Sequence, residues 1–161
     1  MADRQGKRRN LRSGPAFLLA QIGAHAAAKF AERVSPLGLT PADAGILRIL
    51  GSEPGMTQRA LAQRLGIFPS RLVLLLDDLA RRGLVERHPS PRDRRSHSLR
   101  LTKGGTAKLE ALARVAQEHQ DEICAGLAEG ERTQLRELLE KIAAHQKLRP
   151  GVHPGYRKIG R

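Results

Sequence analysis

The side chains best suited to chemistry in this sequence are arginines, and their density is highest near the middle of the chain. Residues 81–100 contain seven basic and two acidic residues. Guanidinium groups bind phosphate oxygens and the acceptors on base edges, so this cluster indicates a polyanionic partner such as nucleic acid or an anionic membrane. An acidic protein partner or substrate is the alternative.

The chain as a whole is strongly basic, and the excess charge lies in three segments. Its 161 residues carry 29 Lys and Arg against 16 Asp and Glu, a formal net charge of +13. Besides residues 81–100, residues 1–12 hold five basic and one acidic residue, and residues 147–161 hold five basic and no acidic residues. We therefore expect a basic N-terminal arm over residues 1–12 and a basic C-terminal tail over residues 148–161. The tail contains Pro150, Gly151, Pro154 and Gly155 and is expected to lack structure of its own. Such tails are also commonly solvated without a specific partner.

Several classes of protein are disfavoured by composition. Cys124 is the only cysteine, which excludes an intramolecular disulfide framework and is typical of a reducing cytoplasm. The longest uncharged run, residues 13–28, falls short of the ~20 strongly apolar residues of a membrane span, so no transmembrane helix or membrane partner is expected. One Tyr, three Phe and no Trp are too few for stacking single-stranded bases. Duplex DNA is therefore the leading polyanion.

No catalytic or metal site is evident from spacing. The chain has no phosphate loop and no recognisable pair of nucleophile and base, so we do not expect an enzyme. Five of the histidines show no metal-ligand spacing, and we expect neither a metal nor a cofactor. These are His88, His97, His119, His145 and His153.

The first elements needed to position the arginines are helices. Apolar residues about four positions apart predict a helix from Pro15 to Val34. Thr40 is expected to cap a second helix that starts at Pro41 and runs to about Leu50. Gly51 to Gly55 is expected to be a break.

Two short helices joined by a tight turn come next. Thr57 is predicted to cap a helix through Leu65, and Gly66-Ile67-Phe68 forms the turn. The second helix is predicted from Pro69 to Arg82 and is closed by Gly83. This order is typical of a helix-turn-helix.

A β-hairpin with a basic tip follows the second helix. Leu84 to His88 and His97 to Leu101 alternate as strands, and the Arg-rich loop Pro89 to Ser96 joins them before Thr102 caps another helix. A hairpin in this place is a wing, whose tip can reach a second groove of DNA.

The last third is helical, with two apolar stripes separated at Gly126 to Gly130. The stripes are Leu109, Leu112, Val115 or Ala116, His119, Ile123 and Leu127, and then Leu135, Leu138, Leu139 and Ile142. Neither helix can hide its stripe alone, so a two-fold dimer is expected. We predict a mainly α fold with a small β-wing, in which residues 37–102 form a winged helix-turn-helix DNA-binding domain. Residues 13–36 and 103–147 would form a helical dimerisation region.

Three stretches of the sequence resemble the MarR family of bacterial winged helix-turn-helix regulators. They are residues 61–67, residues 79–87, and Asp93-Arg94-Arg95 followed by Leu99-Arg100-Leu101-Thr102. Glu131-Arg132 and residues 135–142 match the terminal helix, so the resemblance covers about residues 12–147. It implies a dimeric repressor or activator that binds pseudo-palindromic duplex DNA. It also implies release by a phenolic, aromatic or thioester ligand or by cysteine oxidation.

The resemblance places the helix that begins at Pro69 in the major groove. Its base-facing residues would be Ser70, Arg71, Val73 and Leu74, and we expect apolar contacts with thymine methyl groups or a weaker base code than average. The segment Val73 to Leu76 can also be read as core, which we favour for Leu72, Leu75, Leu76 and Leu79.

The resemblance also assigns the basic residues of the wing. Arg95 would enter the minor groove, held by Asp93, while Arg92 and Arg94 would contact phosphates. A solvated Arg-rich loop is the alternative. Candidate contacts to the DNA backbone at the start of the preceding helix are Thr57, Gln58 and Arg59.

An effector pocket is implied between the dimerisation helices and the winged domain. Its candidate lining residues are Phe17, His25, Lys29, Phe30 and Arg48. A histidine among alanines, such as His25, is also typical of a core or interface position. Cys124 could be a redox switch, but a structural thiol is favoured.

Together these features predict a cytoplasmic, ligand-responsive, dimeric DNA-binding transcriptional regulator. We expect a repressor released from its operator by a small aromatic acid, a phenolic compound or a coenzyme A thioester. The alternative is an architectural or RNA-associated nucleic-acid-binding protein without effector control.

Overall fold

The computed structural model describes residues 14–89, 97–153 and 156, and this part of the chain is mainly helical. The elements in chain order are α1 (Pro15–Val34), a 3₁₀ turn (Ser35–Leu37), α2 (Pro41–Ser52), α3 (Gln58–Leu65), α4 (Pro69–Arg81), β1 (Val85–Pro89), β2 (His97–Leu101), α5 (Lys103–Ile123) and α6 (Glu129–His145). The predicted mainly α fold with a small β-wing is confirmed. No helix in the described ranges is both long and apolar enough to cross a bilayer.

Both predicted helix breaks are present but displaced, because they lie between Ser52 and Gln58 and between Ile123 and Glu129. Gly51 and Ser52 continue α2, whose last hydrogen bond runs from the Glu53 amide to the Ile49 carbonyl at 2.9 Å. Gly130 lies inside α6, because the Ala128 amide donates to the Glu131 carboxylate at 2.8 Å and so starts the helix before the glycine. The remaining predicted bounds agree to within a residue, including α4, which ends at Arg81, and β1, which begins at Val85.

The hydrophobic core joins α2, α3, α4 and the hairpin into one unit and extends to the first half of α5. Its largest fully buried side chains are Ile46, Leu47, Leu50, Leu61, Leu72, Leu76, Leu79, Leu99 and Val34. Burial of each such side chain stabilises the fold by about 1.5–3 kcal/mol before entropy is counted. The two helices of the helix-turn-helix are therefore held as a rigid pair.

Helices α1 and α5 pack side by side and are joined by charge and ring contacts. Arg33 forms ion pairs with Glu122 and, at 3.6 Å, with Glu118. The rings of Phe30 and His119 lie 5.5 Å apart between centroids. Burial, together with the nearby charges of Arg33 and His25, lowers the pKa of His119 below its usual value.

Two helix faces remain apolar and exposed in the single chain. The exposed side chains on the first half of α1 are Phe17, Leu18, Leu19 and Ile22, and those on α6 are Leu135, Leu138, Leu139 and Ile142. Their exposed fractions range from 37% to 58%. Single exposed apolar residues are common on a protein surface, whereas two contiguous stripes indicate an interaction surface.

Part of the C-terminal tail packs on the winged-helix unit, so the expectation that residues 148–161 lack structure is wrong for residues 148–153 and Tyr156. The side chain of Arg149 donates to the Gln63 carbonyl at the end of α3. Tyr156 is only 4% exposed. A segment rich in Pro and Gly can dock through single anchoring side chains, as Arg149 and Tyr156 do here.

Candidate nucleic-acid interface

The first helix of the helix-turn-helix is capped at both ends. The Thr57 hydroxyl accepts from the Ala60 amide at 3.1 Å and starts α3. Gly66 ends α3 with a φ of 68°, where its amide and that of Ile67 both donate to the Ala62 carbonyl. The chain then turns, and α4 begins at Pro69 with no side-chain cap.

The wing is anchored to the start of α3 as well as to its own partner strand. Strands β1 and β2 are antiparallel, with Arg87 opposite Leu99. On the other edge of β2, the Leu99 amide donates to the Met56 carbonyl at 2.9 Å and the Gly55 amide donates to the Leu99 carbonyl at 3.0 Å. Because Met56 directly precedes the cap of α3, these bonds fix the orientation of the hairpin relative to the helix-turn-helix.

The amphipathic helix α4 exposes its first two turns on one side. Leu72, which we predicted as core, is fully buried, as are Leu76 and Leu79, and Leu75 is half-buried against the core. The opposite side carries exposed Ser70 and Leu74, the latter 70% exposed, beside half-buried Arg71 and Val73. Phe68, just before the helix, is 81% exposed.

Charge is distributed unevenly along α4. In its second half, Asp77 pairs with Arg87 at 2.6 Å and Asp78 pairs with Arg82 at 2.8 Å. Arg71 is the only charged residue of the first half, and its buried Nε has no hydrogen-bond partner among the described residues. The helix dipole adds partial positive charge at the same end, so this end of α4 favours an anion.

Arg82 ties the end of α4 to the start of α2. Its guanidinium donates to the Asp43 carboxylate at 3.2 Å, to Asp78 at 2.8 Å and to the Gly38 carbonyl. The hydrogen bond from Arg82 is the main reason that the pKa of Asp78 lies below its ordinary value. Asp43 also accepts from the Thr40 amide at 2.9 Å. The hydrogen bonds of Arg82 thereby fix the orientation of α4 relative to α2.

The predicted DNA-binding residues fall partly on this surface. Gln58 is half-buried and Arg59 exposed on the first turn of α3, and Thr57 serves as its cap. Ser70, Arg71, Val73 and Leu74 share the first two turns of α4. Arg92, Asp93, Arg94 and Arg95 lie outside the described residues, between the paired strand ends Pro89 and His97.

The five predicted effector residues lie apart from four surface clefts in the described part of the chain, each of which is lined by other residues. Lys29 pairs with Glu32 at 3.4 Å, Phe30 contacts His119, and Arg48 donates to the Gly151 carbonyl. Phe17 and His25 are exposed on α1. The effector pocket therefore stays a prediction.

Cys124 lies at the C-terminal end of α5 as a half-buried free thiol. It borders an open cleft of about 770 Å³ between α5 and α6, together with Asp121, Arg132 and Arg136. The cleft is shaped partly by an ion pair of 3.0 Å between Arg132 and Asp121. The structural role of Cys124 stays a prediction.

Some contacts that hold α4 and the hairpin in position could not be predicted from the sequence. Neither the bond from Arg82 to Asp43 nor the pairing of Thr57 with Ser98 was expected. Both join residues about forty positions apart, and sequence periodicity carries no signal for such pairs. The capping box of Thr40 and Asp43 is a local signal for the buried carboxylate alone.

Comparison with known families and proteins gives consistent matches. The sequence profile described as the MarR family matches residues 37–96. The multiple antibiotic resistance protein MarR of Escherichia coli is 33% identical over 112 residues, which are 69% of this chain and 78% of that protein. A transcriptional regulatory protein described for the hcr operon of Thauera aromatica is 31% identical over 105 residues. That match covers 65% of this chain and 63% of the length of the Thauera protein.

Solved structures share the fold as well as the sequence. The transcriptional repressor CouR, solved bound to a 23-mer DNA duplex, matches with a TM-score of 0.73 and 36% identity. The match covers 81% of this chain and 92% of the CouR chain. The likeness therefore includes the helices outside the profile match as well as the winged segment.

Proposed function

Because this chain belongs to the MarR family of transcriptional regulators, we propose that it is a repressor that binds a pseudo-palindromic DNA operator as a two-fold dimer. As a member of this family it is a regulator and not an enzyme. The wing and the dimer are finer parts of the proposal with a structural basis of their own, whereas the effector class follows from the family resemblance.

The observation that carries DNA binding is the first half of α4. This surface projects from a rigid core, bears Arg71 without an ion pair among the described residues, and has the positive end of the helix dipole. A helix of this kind fits the major groove, where Arg71 and Ser70 can donate to base edges and Leu74 can contact a thymine methyl group. The similar repressor CouR was solved on a DNA duplex, which supports this use of the surface.

For the wing, the proposed DNA contacts lie within residues 90–96. Of the two hairpin strands that flank them, β2 is bonded to the start of α3 and β1 is paired with β2. We assign minor-groove contact to Arg95, with Asp93 as its support, and phosphate contacts to Arg92 and Arg94. We also assign a phosphate contact to Arg59, which is exposed on the first turn of α3.

The exposed apolar faces of α1 and α6 support a dimer. These two stripes of large side chains have no cover within the described part of the chain, and a second copy is the simplest way to bury both. The dimerisation region is accordingly assigned to residues 13–36 and 103–147, and the DNA-binding domain to residues 37–102. Two copies of α4 related by a two-fold axis require an operator with inverted half-sites.

For the effector, we propose a chemical class and no specific compound. An aromatic acid, a phenolic compound or a coenzyme A thioester would bind between the dimerisation helices and the winged-helix unit. In this proposal Lys29 and Arg48 would supply the cations, and Phe17, His25 and Phe30 would supply the ring surfaces. A thermal-shift screen of these compound classes tests the assignment, since a ligand that binds only the folded protein raises the melting temperature.

Matched arginine substitutions test DNA binding by α4. Arg71→Ala and Arg81→Ala each remove one positive charge from the same helix, but Arg81 lies at the far end and is paired with Asp78. In mobility shifts on the DNA upstream of the protein's own gene, with excess competitor DNA, Arg71→Ala is expected to lose binding and Arg81→Ala to retain it. Equal losses of DNA binding in the two variants would show that Arg71 contributes only through the net charge of the protein.

The same assay distinguishes a regulator from an architectural protein. A regulator prefers its operator over competitor duplex, whereas an architectural or RNA-associated protein binds both alike. Binding of the wild-type protein without any preference would therefore contradict the proposed function.

A further inference from the structure

The chain leaves α6 through a defined turn and runs onto the helix-turn-helix. Lys147 adopts a left-handed conformation with a φ of 54°, and the Leu148 amide donates to the Ala143 carbonyl at 3.0 Å. This pattern ends a helix and redirects the chain. We call residues 148–153 and Tyr156 the C-terminal strap.

The first attachment of the strap is at the end of α3. Arg149 donates through one nitrogen to the Gln63 carbonyl, and the same nitrogen lies 3.4 Å from the Arg64 carbonyl. The last carbonyls of a helix lack partners within the helix and favour a cation. Arg149 thus adds a side-chain donor to the C-terminal end of α3, beside the backbone cap at Gly66.

The second attachment is along α2. Arg48 donates to the Gly151 carbonyl, and the Tyr156 hydroxyl donates to the Ala42 carbonyl. The Tyr156 side chain is buried, and burial raises the pKa of its phenol, so the hydroxyl remains a neutral donor. Val152 packs against the core between these two points.

Gly45 provides the space that Tyr156 fills. Glycine in the interior of a helix is less favourable for helix stability than alanine. Gly45 lies inside α2, away from any turn that would require a glycine. A Cβ atom at this position would collide with the Tyr156 hydroxyl oxygen. The sequence of α2 is therefore adapted to the strap and not only to its own helix.

The strap connects two parts of the molecule that otherwise touch little. Within the described residues, α6 makes at most isolated backbone contacts with the elements of the winged-helix unit. Its apolar face is the one that the proposed dimer buries. The strap begins at the end of this helix and is bound to both α2 and α3.

We propose that the C-terminal strap fixes the helix-turn-helix relative to the dimer interface and thereby sets the affinity for an operator of one half-site spacing. The inference rests on the proposed function, because it needs two recognition helices in one dimer. Half-sites lie about one helical turn of DNA apart, and a dimer that already holds this separation loses less freedom on binding. A dimer with a released strap samples a wider range of separations.

The docking of the strap is tested by the effect of Gly45→Ala on the melting temperature, which should change sign when Tyr156 is removed. Gly45→Ala is expected to lower the melting temperature of the full chain, because the new methyl group displaces Tyr156. In a Tyr156→Ala background the same substitution is expected to raise the melting temperature, because alanine favours a helix and the space is empty. Truncation after Lys147 gives a second background with the same expected sign. The same direction of change in all three proteins would overturn the docking.

DNA binding tests the function of the strap. Fluorescence anisotropy is measured on a duplex that the wild-type protein binds, and on the same duplex with one or two base pairs inserted between its half-sites. Tyr156→Ala is expected to bind the parent duplex several-fold more weakly and to lose less affinity than the wild type on insertion. Leu112→Ala, which removes a side chain of α5 that is buried in the core of the single chain, is the control for general loss of stability and should retain the spacing preference of the wild type.

The outcomes separate the two proposals. Failure of the wild-type protein to bind any duplex specifically would refute the proposed function. Specific binding by the wild type, with the same affinity and the same dependence on spacing in Tyr156→Ala, would refute the strap alone.

Discussion

Removing the Arg82 side chain is expected to destabilise the protein by about 2 kcal/mol. Asp43, whose side chain is only 6% exposed, would lose its cationic partner and keep the Thr40 amide as its remaining donor. Breaking a buried ion pair from one side costs about 3–5 kcal/mol. The Arg82 side chain is itself 31% exposed, so water replaces part of the lost interaction and lowers this figure.

Urea unfolding of Arg82→Ala measures this cost. Because a dimer unfolds with a concentration-dependent midpoint, all variants are compared at one protein concentration. Arg81→Ala is the matched control, since Arg81 is 74% exposed and its ion pair with Asp78 spans 3.4 Å. We expect the control to change the free energy of unfolding by less than about 0.5 kcal/mol.

A double-mutant cycle identifies Asp43 as the source of the cost. In an Asp43→Asn background no buried charge remains, so Arg82→Ala should cost at least about 1 kcal/mol less than in the wild type. A cost below about 0.5 kcal/mol in the wild type, or an equal cost in both backgrounds, would refute the reasoning.

Other predictions concern the dimer face, pH and the two sides of α4. Leu138→Glu is expected to shift the protein toward monomer in sedimentation velocity, and an unchanged dimer would contradict the assignment of the α6 face. Burial, Arg33 and His25 lower the pKa of His119 below 6.5, so the unfolded chain binds more protons and stability falls as the pH drops below this value. His119→Gln should lose less stability than the wild type between about pH 7 and 5.5 in urea unfolding, and an equal loss would exclude His119 as the cause. Leu72→Ala should cost about 2–5 kcal/mol of stability, whereas exposed Leu74→Ala should cost less than about 0.5 kcal/mol yet weaken DNA binding. Urea unfolding and anisotropy measure both, and the opposite ranking in stability would show that α4 is oriented differently.

The elements of the helix-turn-helix could be predicted because their signals are local. Thr57, Gly66 and Pro69 each act within four residues of their own position, as a cap, a left-handed helix end and a helix start. The periodicity of Leu72 and Leu76 then identifies the buried side of α4. Such features need no knowledge of the rest of the chain.

The C-terminal strap could not be predicted in this way, because its partners lie about a hundred residues away. Composition around Gly151 indicates a flexible tail, and no local pattern connects Arg149 to Gln63 or Tyr156 to Ala42. One signal was available, namely the unexplained glycine at position 45 inside a helix. It shows that something approaches α2 closely, but not what approaches it.

The proposed site was predicted unevenly for a related reason. Residue types such as Arg71 and Arg95 indicate nucleic acid wherever they are exposed on a basic surface. Their separation and orientation depend on non-local bonds, such as the one from Leu99 to Met56 that anchors the wing. The effector residues depend on packing between helices, and Arg48, one of the five, is bound to the strap instead.

The most direct test of a two-fold regulator is the symmetry of the DNA that it selects. Purified protein is mixed with a library of random duplexes, and the bound molecules are recovered and sequenced over several rounds. A dimer that presents two α4 helices should enrich an inverted repeat whose half-sites are about one helical turn apart. Enrichment of a single asymmetric site, or no enrichment above the starting library, would contradict the account.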